Sequence, residues 1–142
     1  MPVTETRAVD VPAPRSAVWS FIADPQNRAE AISAVTSYER VGEGHSRWHV
    51  ELPIPLISAT IPVDAYEQVR DGPRYVEFVA DSTVMEVSGT HHLEETARGT
   101  RLTNTFDVDG KAPGVESYFS HQLESELANL EAALERDLGV RL

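Results

Sequence analysis

The sequence predicts an α+β fold, a curved seven-stranded antiparallel sheet wrapped around a long C-terminal helix, with two short helices after the first strand. Three observations carry this. The hydrophobic period runs from a first alternating stretch into a short helical one, then through a long run of alternation, and back to helical. Turn residues punctuate the alternating region from Val35 to about Asp109 at short intervals. Finally, Val115, Phe119, Leu123, Leu127, Leu130, Leu134 and Leu138 recur three or four apart, one stripe on a helix of about 24 residues and roughly 36 Å.

Each element has its own local reason. Val3 to Val11 alternates and stops at Pro12 and Pro14, a first strand. Pro14 suits the first turn of a helix through Ala23, in which Val18, Trp19 and Ile22 share a face. Asp24-Pro25 ends it and caps a second short helix through about Ser33. Gly42-Glu43-Gly44 separates strands near 35–41 and 45–52, and Pro53 and Pro55 then break the ladder because proline has no donor. A strand near 59–69 contains Pro62, which implies an edge or a bulge. Asp71-Gly72-Pro73 and Asp81-Ser82-Thr83 are turns on either side of a strand at 74–80. Val84–Glu95 and Thr100–Val108 form a hairpin around Thr96-Ala97-Arg98-Gly99, and Gly139 is a stop for the last helix. A helix that long needs a large apolar surface, which the concave face of the sheet supplies.

Composition narrows the function. A chain of 142 residues accommodates one domain, spanning 1–142, with a substantial core. With 41% hydrophobic and 25% charged residues it is a globular mixture. Twelve basic against 23 acidic residues give a net charge of −11, which disfavours nucleic acid and anionic membrane surfaces as partners. No cysteine is present, so disulfides, thiolate nucleophiles and iron–sulfur clusters are excluded and the cytoplasm is the expected compartment. No apolar run reaches the roughly 20 residues of a membrane span, and Met1-Pro2-Val3-Thr4-Glu5-Thr6 lacks a signal peptide's apolar stretch. Lys111 is the only lysine, an imbalance that fits a salt-adapted proteome and a bias toward arginine codons equally well.

The order of elements is that of the helix-grip fold. Val11-Pro12-Ala13-Pro14 with Val18-Trp19, Ile22 and Asp24-Pro25 begin a resemblance that spans nearly the whole chain. It continues through Glu67-Gln68-Val69, Gly72-Pro73-Arg74 and Val76-Glu77-Phe78 to Gly89, Leu93 and Gly99-Thr100-Arg101-Leu102. It ends at Leu123 and Leu127-Ala128-Asn129-Leu130-Glu131. The chain resembles the START/Bet v 1-like (SRPBCC) superfamily, in its polyketide cyclase/dehydrase or carbon-monoxide-dehydrogenase-like branch. That resemblance implies an apolar cavity between sheet and terminal helix, holding a lipid, isoprenoid, quinone or polyketide-like molecule. It carries over no catalytic residue, because the superfamily shares no catalytic set, and fold alone does not settle activity.

Strand parity names the residues that would line such a cavity. Trp48, Val50 and Leu52 share a face, as do Ile61, Val63, Ala65 and Val69, which brings Glu67 inward with them. Val76, Phe78 and Ala80 follow, then Met85, Val87, Gly89, His91 and Leu93 against Leu102, Asn104, Phe106 and Val108. Pairing Glu95 with Thr100 sets Leu93 against Leu102, His91 against Asn104 and Gly89 against Phe106. The expected ligand-binding set is therefore Trp48, Val50, Val63, Phe78, Met85, Val87, His91, Asn104 and Phe106, with Tyr118, Phe119 and Gln122 from the terminal helix. His91 and Asn104 either satisfy one another in a packed core, directly or through water, or bind a ligand oxygen. His91 and Tyr118 are the candidates should the protein be an enzyme. Glu67 is expected near the strand end and solvated.

Other signals lead to no site. His45 and His49 alternate with Trp48 and Val50 on a strand, which sets them roughly 13 Å apart, too far to share a metal. His91 and His92 face opposite ways, and His121 lies off the helical stripe. The acids spread over turns and outer faces, which offers no glycosidase pair. Gly42-Glu43-Gly44 lacks the rest of a dinucleotide loop, and there is no nucleophile elbow. No metal or cofactor is expected. The leading expectation is a non-enzymatic binding or carrier protein for an apolar small molecule, acting as monomer or homodimer. The alternatives are a polyketide aromatase/cyclase and a protein-interaction module of the co-chaperone type. The polar outer positions His49, Glu51, Glu77, Glu86 and Glu94 argue against the last.

Overall fold

A computed structural model describes residues 2–55, 57 and 59–142. The strands are β1 (Val3–Val11), β2 (Val35–Gly42), β3 (His45–Val50), β4 (Ile61–Asp71), β5 (Tyr75–Asp81), β6 (Met85–Thr96) and β7 (Gly99–Gly110). The helices are α1 (Arg15–Ile22), α2 (Pro25–Glu30), α3 (Val115–Ser120) and α4 (Leu123–Leu138). The strands form one antiparallel sheet in the order β1-β7-β6-β5-β4-β3-β2. Every neighbour is consecutive in sequence except β1, which closes on β7. The chain leaving β1 at one edge must therefore cross six strand spacings, about 29 Å, to begin β2 at the other. Helices α1 and α2 make that crossing over the concave face. Asp24 caps α2, its Oδ1 accepting from the Gln26 amide at 3.0 Å with Pro25 in the first turn.

The register of the β6–β7 hairpin is the expected one: Glu95 opposes Thr100, Leu93 Leu102, His91 Asn104 and Gly89 Phe106. Pro62 sits in an interior strand, opposite His49 of β3, but β4 pairs with β5 only from Asp64 onward. On that side Pro62 faces no ladder.

Two expectations need correction. The terminal helix is not continuous over 115–138: α3 ends at Ser120 and α4 starts at Leu123. The Ser120 hydroxyl donates to the Ser117 carbonyl at 2.7 Å, and His121 Nδ1 lies 2.9 Å from the same oxygen. These side chains compete for a carbonyl the helix ladder would use. The leucine stripe survives the break, with Leu127, Leu130 and Leu134 fully buried. The second correction is Val69, expected inward but 44% exposed. A bulge lies between Glu67 and Val69, so Glu67 opposes Phe78 and Val69 opposes Glu77. One extra residue inverts the alternation beyond it.

The concave face is covered unevenly. Helix α4 packs on β1 and β7, and α1 on β6, β7 and α4, while α2 lies against β2. Two carboxylates tie α4 down. Glu131 accepts two hydrogen bonds from Arg7 of β1, each 3.0 Å, and Glu126 accepts from the Ser33 amide at 2.7 Å and hydroxyl at 2.9 Å. The β1–β7–β6 half is thereby closed. The β5–β2 half stays open at its end.

Candidate functional site

The space under α4 is nearly filled. Trp48, Val50, Met85, Val87, Phe106 and Phe119 surround a void of about 10 Å³, closed at one side by Glu126. That is the room of a single water at most. The substantial space is a cleft of about 670 Å³ at the open end of the concave face. Its floor is Trp48 of β3, Ala65 of β4 and Phe78 of β5. One wall is the α1–α2 corner with Asp24 and Arg28, and another is β2 with Tyr38 and Arg40. The rim carries His45, Tyr66, Val69 and Arg70.

The aromatic floor follows from strand pairing. Trp48 and Phe78 reach it from inward positions of β3 and β5, their ring centroids 5.7 Å apart and tilted by 59°. Gly89 lies directly opposite Phe78 on β6 and makes room for its ring; a Cβ there would stand 2.2 Å from Phe78 Cε1. The Arg28 guanidinium carbon lies 5.4 Å from the Phe78 ring centroid. Such a contact is favourable between cation and π-face.

Arg28 is 2% exposed, and burial pulls its pKa down, opposed by the bond to Glu67. It remains a cation, as arginine does in proteins. Its Nη1 donates to the Ile22 carbonyl at 2.8 Å and its Nη2 to Glu67 Oε2 at 2.8 Å. The Glu67 side chain is only 14% exposed, which corrects the expectation of a solvated strand end. It faces inward as parity requires, and its charge is met by Arg28 and by Arg70 Nη1 at 2.9 Å. A buried carboxylate needs such partners.

At the rim, His45 Nε2 lies 3.0 Å from Asp64 Oδ1, and the imidazole stacks on Tyr66 with centroids 4.3 Å apart. Asp64 also accepts from Arg47 Nε at 3.1 Å, and these bonds, His45 first, hold its pKa low. Tyr38 opposes Trp48 across β2–β3, and burial raises its pKa.

The residues selected from sequence divide between three places. Trp48 and Phe78 form the cleft floor; Val50, Met85, Val87, Phe106 and Phe119, with Trp48 again, surround the small void; Val63 is wholly buried. Tyr118 and Gln122 are half-buried on α3 and the α3–α4 junction. The Tyr118 ring meets Phe119 edge-on at 4.9 Å. His91 and Asn104 are fully buried and bonded to one another, Nδ1 to Oδ1 at 2.8 Å. Burial, reinforced by the charge of Arg28 and only partly offset by Asn104, pushes the His91 pKa down to about 3. His91 is a neutral imidazole near neutral pH. Its Nε2 and the Asn104 Nδ2 have no partner among the described residues.

Sequence reasoning passed over Arg28, Arg70, Tyr38 and His45. An inward Glu67 was the usable signal, since a buried acid implies a nearby cation. The acids were also read as uniformly solvated, which Glu126 corrects: it is 1% exposed, and burial raises its pKa despite the bonds from Ser33. Among the described residues no group of acids and histidines is placed to hold a metal ion, and no helix is long and apolar enough to cross a membrane.

The fold is shared with several solved structures. One is the ZhuI aromatase/cyclase from Streptomyces sp. R1128, with a TM-score of 0.69 at 17% identity, covering 97% of this chain and 96% of that one. Another is a START superfamily protein from Mycobacterium smegmatis, with a TM-score of 0.67 at 15% identity over 95% and 97% of the two chains. A conserved protein from Geobacillus kaustophilus has a TM-score of 0.70 at 14% identity over 96% of both. No curated protein sequence matches significantly. The profile of one sequence family, described as polyketide cyclase / dehydrase and lipid transport, matches residues 2–135. With the matched residues running from β1 into α4 and the helix-grip architecture present throughout, the chain belongs to the polyketide cyclase/dehydrase and lipid-transport family of the START/Bet v 1 superfamily.

Proposed function

We propose that the protein binds or carries a small molecule with an apolar body, of the lipid, isoprenoid, quinone or polyketide-like kind, in the cleft between α2 and the β2–β5 end of the sheet. The observation that carries this reading is the cleft of about 670 Å³ with Trp48 and Phe78 as its floor. Small-molecule sites occupy roughly 300–1,000 Å³ and combine apolar walls with a few placed polar groups. The space beneath α4, about 10 Å³, is too small for such a guest. Native mass spectrometry of protein purified from its source, followed by organic extraction, tests the reading directly. A bound small molecule is expected in the native chain and absent after Trp48→Ala. Empty protein from both would refute it.

A carrier is favoured over an aromatase/cyclase by the state of the residues that would act. His91, with a pKa near 3 and no exposed surface, carries no imidazolium proton to donate near neutral pH. General acid–base work needs a group that titrates near the working pH and reaches its substrate.

A further inference from the structure

The charge at the cleft carries one step beyond that reading, on which it rests. Arg28, Arg40 and Arg70 all line the cleft of a chain whose net charge is −11. Two of them, Arg28 and Arg70, share the single carboxylate of Glu67, at 2.8 Å and 2.9 Å. Arg28 is engaged internally, by the Ile22 carbonyl, Glu67 and the Phe78 ring. Arg70 is held on one side only. Its Nη1 meets both Glu67 oxygens and the Ala23 carbonyl at 3.2 Å, and its guanidinium lies 5.4 Å from the Trp19 ring centroid. No acceptor among the described residues engages its Nη2 or Nε, and the side chain is 47% exposed. An arginine fixed along one edge and open along the other is a preorganised anion donor.

We propose that the cleft selects amphipathic monoanions, the apolar body lying on Trp48 and Phe78 and a carboxylate- or sulfonate-type head on the open edge of Arg70. Asp24 and Glu43 also line the cleft, so a second negative charge on the guest meets repulsion. A neutral guest gains nothing from the unshared guanidinium.

The test compares two dyes with the same rings. 8-Anilino-1-naphthalenesulfonate carries a sulfonate, and N-phenyl-1-naphthylamine lacks it. Both are titrated by fluorescence against the full chain and against Arg70→Gln, at 50 and 500 mM NaCl. The sulfonate dye is expected to bind about fivefold or more tighter than the neutral one, the difference a charge-assisted hydrogen bond supplies. Arg70→Gln should remove that preference and leave neutral-dye binding unchanged, which also shows that the cleft has kept its shape. Raising salt on the unmodified chain should weaken the sulfonate dye alone, since exposed charges are screened. Equal affinities for the two dyes, a preference indifferent to salt, or one that survives Arg70→Gln would overturn the inference and leave the cleft reading intact. Failure of both dyes to bind would overturn the two together.

Discussion

His91 shows how one buried side chain shapes the response of the whole protein to pH. Its pKa falls from 6.5 to about 3 on folding, chiefly through burial. Between those values the unfolded chain binds a proton that the folded chain refuses, so stability falls as pH falls below 6.5, by about 1.4 kcal/mol per pH unit. Thermal melts from pH 7 to pH 4 should show a steep acid limb, flattened in His91→Gln, which loses the titrating group and keeps a polar partner for Asn104. Glu126 acts with the opposite sign. Its raised pKa means that the folded chain holds the proton more tightly, so its contribution grows as pH falls toward 4.5. The position of Glu126 was legible in principle, three residues after Leu123 and four before Leu130, on the flank of the buried stripe. Glu126 lies against Ser33, which is 93 residues away in sequence, and no local pattern announces that partner.

At the level of elements, short-range chemistry decides most outcomes and a few insertions undo it. The β6–β7 hairpin follows from alternation and one turn. On its other side β6 meets β5, where Gly89 stands opposite Phe78 and the ring occupies the space a side chain would take. Gly89→Ala is expected to cost about 1–3 kcal/mol by overpacking, read from urea denaturation. Combining it with Phe78→Leu should recover part of that loss, because the smaller side chain vacates the contact. Fully additive losses would show that the two positions do not compete for space. The bulge after Glu67 and the break at His121 and Gln122 are the elements that periodicity missed. In the first, the spacing of apolar residues is preserved on both sides and only the pairing partner reveals the extra residue. In the second, the stripe continues across the gap and the Ser117–His121 contacts interrupt the backbone without disturbing it.

For the whole molecule, uneven cover of one concave face creates the site. Helices α1 and α4 seal the β1–β7–β6 half, and the short α2 leaves the other half open. The two halves should be separable by experiment. Leu130 is fully buried in the middle of α4. Leu130→Ala is expected to cost about 2–5 kcal/mol in urea denaturation while leaving dye affinity in the cleft unchanged. A matching loss of affinity would mean that the sealed half also supports the cleft.

The amino-acid order was sufficient for the fold class, the strand register of the β6–β7 hairpin, the cap at Asp24 and the stripe of the terminal helix. These depend on periodicity and on neighbours a few residues apart. Where the empty space lies was decided only in three dimensions. Whether Met85 and Phe106 line a chamber or fill it depends on how far α4 sinks toward the sheet. That depth is set by ties such as Arg7–Glu131 and Ser33–Glu126 between segments distant in sequence. Likewise Arg28 and Arg70 reach one carboxylate only because the crossing from β1 to β2 carries α2 across the open end of the sheet. Packing density and long-range charge pairing are properties of the closed structure, and a linear pattern of apolar and polar residues does not encode their geometry.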